Sequence, residues 1–143
     1  MDKSLIPHFI TLLSHSNPNV RSYAAYTLGT MGRIAASTVP RLILLLQDPN
    51  SNVFNSASQA LEEMGEAASP KLIPLLESSN PRTRKRAALA LGHMGKASLP
   101  AIPQLILLLQ DPDSNVLLAA QSALNRLAYS NEKFLLPDSD IWC

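Results

Sequence analysis

The side chains of this 143-residue chain that could carry chemistry are three histidines, one cysteine, one acidic cluster and one basic run. His8, His15 and His93 have no His, Cys or acidic residue at metal-ligand spacing on the same helix, so no metal site is expected. Glu62, Glu63 and Glu66 bunch near a helix end. A catalytic acid–base pair needs a pocket, and no pattern around these three supplies one, so they read as a solvated group. Cys143 stands alone, which rules out a disulfide within the chain and leaves a free thiol at its last residue. The run Arg82-Thr83-Arg84-Lys85-Arg86 holds four of the 12 Lys and Arg residues. It falls at a helix start, where cations oppose the macrodipole. It reads first as a solvated, partly salt-bridged patch (Arg82, Arg84, Lys85, Arg86), then as a site for an acidic protein partner, and last as one for a phosphate backbone. Gly-rich phosphate loops, nucleophile elbows and Cys–His pairs are absent, so neither a catalytic residue nor a cofactor is expected.

Bulk properties point the same way. The net charge is +1, so the whole-molecule field favours neither nucleic acid nor an anionic membrane. Apolar residues make up 46% and aromatics only 5%, leaving Leu, Ala and Ile as the apolar stock, with Leu and Ala strong helix formers. No run reaches the roughly 18 apolar residues that a bilayer span needs. The opening Met1-Asp2-Lys3-Ser4 is followed by a short apolar run that Pro7 and His8 break, unlike a signal peptide. A cytoplasmic protein is the expectation.

The elements that must position these residues are set by self-similarity. Residues 42–53 (LILLLQDPNSNV) and 105–116 (LILLLQDPDSNV) agree at eleven of twelve positions, 63 residues apart. Each half divides again: Pro18, Pro49, Pro81 and Pro112 are spaced 31, 32 and 31 residues. LGTMG (28–32), LEEMG (61–65), LGHMG (91–95) and LNRLA (124–128) align behind them. A period in this range marks a stacked repeat. Each unit reads as two helices. The first carries a proline near its start (Pro7, Pro40, Pro70, Pro103) and then a leucine pair; Pro74 should kink or shorten the third of these. An Asn-Pro or Asp-Pro turn follows. The second helix opens at Val20, Val53, Thr83 or Val116, with apolar residues at +4, +8 and +11, one face of a 3.6-residue helix. Gly32, Gly65 and Gly95 stand where a left-handed cap is needed. The repeated alanines Ala24, Ala57, Ala87 and Ala120 would let helices approach closely.

The run from Asn17 to Gly32 (NPNVRSYAAYTLGTMG) resembles the HEAT repeat, most of all the short subtype found in phycobilisome-lyase-related proteins, and Asn80 to Gly95 resembles it nearly as well. The resemblance covers about residues 5–128 and implies an all-α, right-handed α-solenoid of four helical hairpins. The repeats are set at about 4–37, 38–69, 70–99 and 100–129, with a C-terminal tail over 130–143. It also implies a ladder between the Arg that follows the Val position and acidic turn residues of adjacent repeats. Phe54 and Leu117 replace that Arg in two units, so the ladder is expected to be partial, joining Arg84 to Asp48 or Asp111.

A solenoid presents its second helices on a concave side. Positions +2, +6 and +9 from the Val lie opposite the core stripe. They hold Ser22, Tyr26 and Gly29; Asn55, Gln59 and Glu62; Lys85, Leu89 and Gly92; Leu118, Ser122 and Asn125. This mixed face suits a protein or peptide partner, with Tyr26 the leading hot-spot residue by type. The expected function is therefore a non-catalytic interaction scaffold. The alternative that the resemblance implies is a phycobilin-lyase-related protein acting on phycobiliproteins. A helical-repeat DNA glycosylase ranks last, since only Tyr26 and Glu62 would serve it. Leu44 and Leu107 face away from the core of their first helices, and the lightly capped solenoid ends leave room for a homodimer. Folding Phe134–Leu136 back over the last repeat would cover its core face, with Ile141-Trp142-Cys143 beyond.

Overall fold

The computed structural model describes residues 3–135, and the side chains of residues 3–129. Eight α-helices follow one another: α1 (Ile6–Leu12), α2 (Pro18–Thr30), α3 (Val39–Leu44), α4 (Ser51–Met64), α5 (Ser69–Leu72), α6 (Pro81–Gly92), α7 (Ile102–Leu107) and α8 (Ser114–Leu135). No strand occurs among the described residues. The even-numbered helices are the second helices of the four hairpins.

The first helices are short because their ends tighten. α3 and α7 run on as 3-10 turns over Leu45–Gln47 and Leu108–Gln110. Those turns stop at Asp48 (ψ 136°) and Asp111 (ψ 137°), both extended. Each precedes a proline, whose ring pushes the preceding residue out of the helical region. α5 is only Ser69–Leu72, and a 3-10 stretch takes over at Ile73–Glu77, so Pro74 shortens that helix as expected.

The second helices start on side-chain caps. Asn17 and Asn80 accept from the backbone N–H groups of Asn19 and Arg82, with Pro18 and Pro81 in the first turn. Repeats two and four insert two residues, which moves the cap to Asn50 and Asp113. The displaced Asp48 and Asp111 instead accept from the N–H groups of Asn50 and Asp113. Their carboxylates keep room for a further donor. Gly32, Gly65 and Gly95 close the helices at φ +58°, +52° and +57°, a region open to glycine.

The core repeats with the sequence. Leu28, Leu61 and Leu91 of the second helices are fully buried, as are Leu42, Leu72 and Leu105 of the first. Leu124, next in the series, is only half-buried, since no described repeat stacks beyond α8. Leu44 and Leu107 are exposed (71% and 69%), in accord with their place opposite the core stripe.

Two expectations are corrected. Gly29 and Gly92 do not face outward; both are buried between second helices. A single-helix reading sees one apolar stripe, whereas a helix within a stack has neighbours on both flanks as well as beneath it. And α8 runs unbroken to Leu135, so the chain does not turn back at residues 129–135. Leu136, Ile141, Trp142 and Cys143 lie outside the described residues.

Candidate functional site

An ionic ladder runs along the turns of the stack. The Arg21 guanidinium donates to both Asp48 carboxylate oxygens, Nε to Oδ2 at 2.8 Å and Nη2 to Oδ1 at 3.1 Å, and its Nη1 reaches the His15 and Ser16 carbonyls of its own turn. Arg84 repeats the arrangement on Asp111 at 2.8 and 3.0 Å, with Nη1 on the Ser78 carbonyl. Of the two partners open to Arg84 in the sequence, the structure selects Asp111. The middle rung is built differently. Phe54 stands where an Arg would, and Arg86 of the next repeat reaches back over it, its guanidinium carbon 4.8 Å from the ring centroid. Arg86 Nη1 donates to the carbonyls of Leu46 and, at 2.9 Å, Asp48. The ladder therefore joins all four repeats, which is more complete than the sequence implies.

These contacts displace ionisation. Burial pushes the Asp48 carboxyl up, but hydrogen bonds from Arg21 and the Asn50 N–H, with the charges of Arg21 and Arg86, outweigh it and leave the group below its ordinary 3.8. The hydrogen bond from Arg84 holds Asp111 below 3.8 against a smaller burial effect. That same bond raises Arg84. Burial depresses Arg86, and the charge of Arg82 adds to it while Asp48 opposes.

The expected basic patch is thereby divided. Arg84 and Arg86 are spent inside the ladder. Arg82 and Lys85 remain beside α8, where with Pro81 they line a shallow cleft whose far wall is Asp113 and Asn115.

The seams between second helices are unequal, and this shapes the surface. A Cβ placed on Gly29 would lie 2.8 Å from the Ala60 Cα, and one on Gly92 would lie 2.9 Å from the Ala123 Cα. α2–α4 and α6–α8 are thus in backbone contact. The corresponding position of α4 is Glu62. Its side chain cannot fit such a seam, and α4 meets α6 over far less of its length.

Two clefts flank α4. The one toward α6, about 420 Å³, has Phe54 and Leu89 as its apolar wall and Asn55, Gln59, Glu62 and His93 as its polar one. The one toward α2, about 270 Å³, is lined by Tyr26, Thr30, Ser56, Gln59 and Glu63, with Gly29 and Ala60 behind. Gln59 belongs to both, standing on the α4 ridge between them, and the two clefts together make up the candidate groove. Arg126 Nη1 of α8 lies 3.4 Å from His93 Nδ1.

Among the expected concave-face residues, Tyr26, Asn55, Gln59, Glu62 and Leu89 meet in this groove, and Tyr26 is 54% exposed. Ser22 does not: its hydroxyl is 2.7 Å from that of Ser56 and tacks α2 to α4. Lys85 sits apart with Arg82. Leu118 and Ser122 are exposed on α8, and Asn125 lines a different cleft with Leu109, Gln121 and Leu124. Phe54, Thr30, Glu63 and His93 were not expected on the binding face, because they lie a step round the helix from the outward line. The glutamate at a position that is glycine in two other repeats was the available signal.

Stacked hairpins joined by a turn-side arginine ladder, with a groove over their second helices, define a helical-repeat solenoid of the kind suited to protein binding. The HEAT-repeat model matches residues 6–73 and again 69–135, and the chain belongs to the HEAT-repeat family. No curated protein matches it. Among solved structures it is similar to the complex of CpcE and CpcF of phycocyanin lyase from Nostoc sp. PCC7120 (22% identity, 96% of this chain and 92% of that one, TM-score 0.64). It is also similar to a designed armadillo repeat protein in complex with the peptide (KR)4 (21% identity, 87% of this chain and 64% of that one, TM-score 0.51). At these identities the likeness is one of fold. No helix among the described residues is long and apolar enough to cross a membrane.

Proposed function

We propose that the chain is a non-catalytic interaction module that holds a protein or peptide partner along the concave row of α2, α4 and α6. The observation that carries this reading is the pair of clefts that share Gln59, which offer an exposed aromatic, amides, carboxylates and a leucine. Such a mixture of one aromatic anchor and a polar rim is what binding surfaces use. The glycine seam holds α2 against α4, and Arg86 of the ladder ties α6 to the turn before α4, so a partner meets a largely preformed surface. Affinity capture from native lysate tests it: Tyr26→Ala should lose the partner that the unaltered chain retains. If both Tyr26→Ala and Gln59→Ala keep every partner, the groove is not the binding face.

The breadth of the likeness to the phycocyanin lyase complex favours a second reading, a phycobilin-lyase-related role. Mixing with phycocyanobilin should then shift its absorbance band; an unchanged spectrum removes that reading.

A further inference from the structure

We propose that the two clefts flanking α4 take two basic side chains of one extended peptide, spaced three residues apart. This rests on the groove reading above and adds the partner's chemistry and register.

Glu62 and Glu63 are adjacent, and the 100° step of a helix sends them to different flanks of α4. Glu63 lines the cleft toward α2 with Tyr26, and Glu62 the cleft toward α6 with Phe54 and Leu89. Each cleft thus holds a carboxylate and apolar surface, the Tyr26 ring in one and Leu89 with Phe54 in the other, which together accept a basic head and its methylene stem. One face of the Phe54 ring is already covered by Arg86, so the α6-side cleft relies on Glu62 and Leu89. Both glutamates are exposed, and the two ion pairs among the described residues, Arg21–Asp48 and Arg84–Asp111, involve neither.

Backbone charge adds to theirs. Contacts between neighbouring second helices advance together along the chain, Ser22 to Ser56 and then Gly29 to Ala60, so these helices run parallel. Their C-terminal ends, Thr30, Met64 and Gly92, therefore sit side by side at the same end of the groove. A helix C-terminus carries about half a negative charge, and three of them beside two carboxylates favour cations. The opposing cations include Arg126, beyond His93, and Arg33 and Lys96, which follow Gly32 and Gly95, while Arg82 and Lys85 lie at the other end of α6.

The register follows from two spacings. Packed helices stand about 8–10 Å apart; α2 lies closer than that to α4 and α6 farther off, so the two clefts are on the order of 9 Å apart. A polyproline II chain presents the same face every third residue, a rise of about 9 Å. Basic residues at i and i+3 of such a segment would enter both clefts at once.

Fluorescence anisotropy of the full chain tests this with labelled peptides carrying an Arg-Pro-Pro-Arg centre, against matched peptides with both arginines replaced by glutamate. The arginine peptide should bind, the glutamate peptide at least about tenfold more weakly, and added salt should weaken the former. Glu62→Gln with Glu63→Gln, two exposed changes, should weaken the arginine peptide about fivefold to tenfold. Absence of arginine-peptide binding, equal binding of the two peptides, or an unaffected double variant overturns the proposal. If the double variant is unaffected while Tyr26→Ala releases the peptide, the groove reading stands and only its charge preference falls. If lysate partners also survive Tyr26→Ala and Gln59→Ala, both fall.

Discussion

Replacing Gly29 by alanine sets two known effects against each other. Glycine inside a helix costs about 1 kcal/mol relative to alanine, so at an open position the change would stabilise. At Gly29 the new methyl would lie 2.8 Å from the Ala60 Cα and 3.0 Å from its Cβ. Unstrained carbon contacts sit near 3.5–4.0 Å, so the overlap approaches about 1 Å. The nearest atom is backbone, held in α4 by its helical hydrogen bonds, so no rotamer change relieves it; the helices must separate. Overpacking of this kind costs about 1–3 kcal/mol. Subtracting the propensity gain leaves a loss of about 1 kcal/mol, a fall in melting temperature of about 4 °C for a domain of this size. Gly92→Ala should behave alike on Ala123, and the pair should roughly add, because the two seams share no side chain. Thermal unfolding followed by far-ultraviolet circular dichroism measures this. A rise in melting temperature for Gly29→Ala, the propensity effect alone, would show that the α2–α4 seam is loose and refute the backbone-contact reasoning.

Acid should weaken the fold through the ladder. Asp48 and Asp111 ionise below their ordinary 3.8 when folded, so their contribution is complete above that value and is lost as pH falls through the folded values. Urea midpoints should drop below about pH 4, and Asp48→Asn with Asp111→Asn should flatten that limb while lowering stability at neutral pH. Arg86→Met leaves the Leu46 and Asp48 carbonyls without their donor and should cost about 2 kcal/mol, seen as faster hydrogen exchange in α6 ahead of α2. Leu46→Ala removes a fully buried side chain and should cost about 3 kcal/mol, whereas Leu44→Gln, two residues away and exposed, should stay within about 0.5 kcal/mol in the same denaturation series.

Local chemistry made much of the fold legible in one dimension. The proline-marked period, the leucine pairs, the Asn caps and the three terminal glycines are consequences of backbone sterics and helical periodicity, which act over a few residues and repeat with the unit. The same sterics announced the break at Pro74. What residues Tyr26, Gln59 and Glu62 share was also within reach, since all three lie on the outward line of their helices.

The rest depended on what stands beside each helix. Gly29 and Gly92 look outward on a helical wheel and are buried because a neighbouring backbone covers them. The basic run looks like one patch, but Arg84 and Arg86 point into different turns and only Arg82 and Lys85 remain outside the ladder. The sequence by itself determined four hairpins and the faces they bury, because periodicity within a helix encodes a single stripe. Only the tertiary structure decided that two seams close and one opens: lateral contact between helices some thirty residues apart is a property of the stack, set by whether glycine or glutamate meets the adjoining backbone.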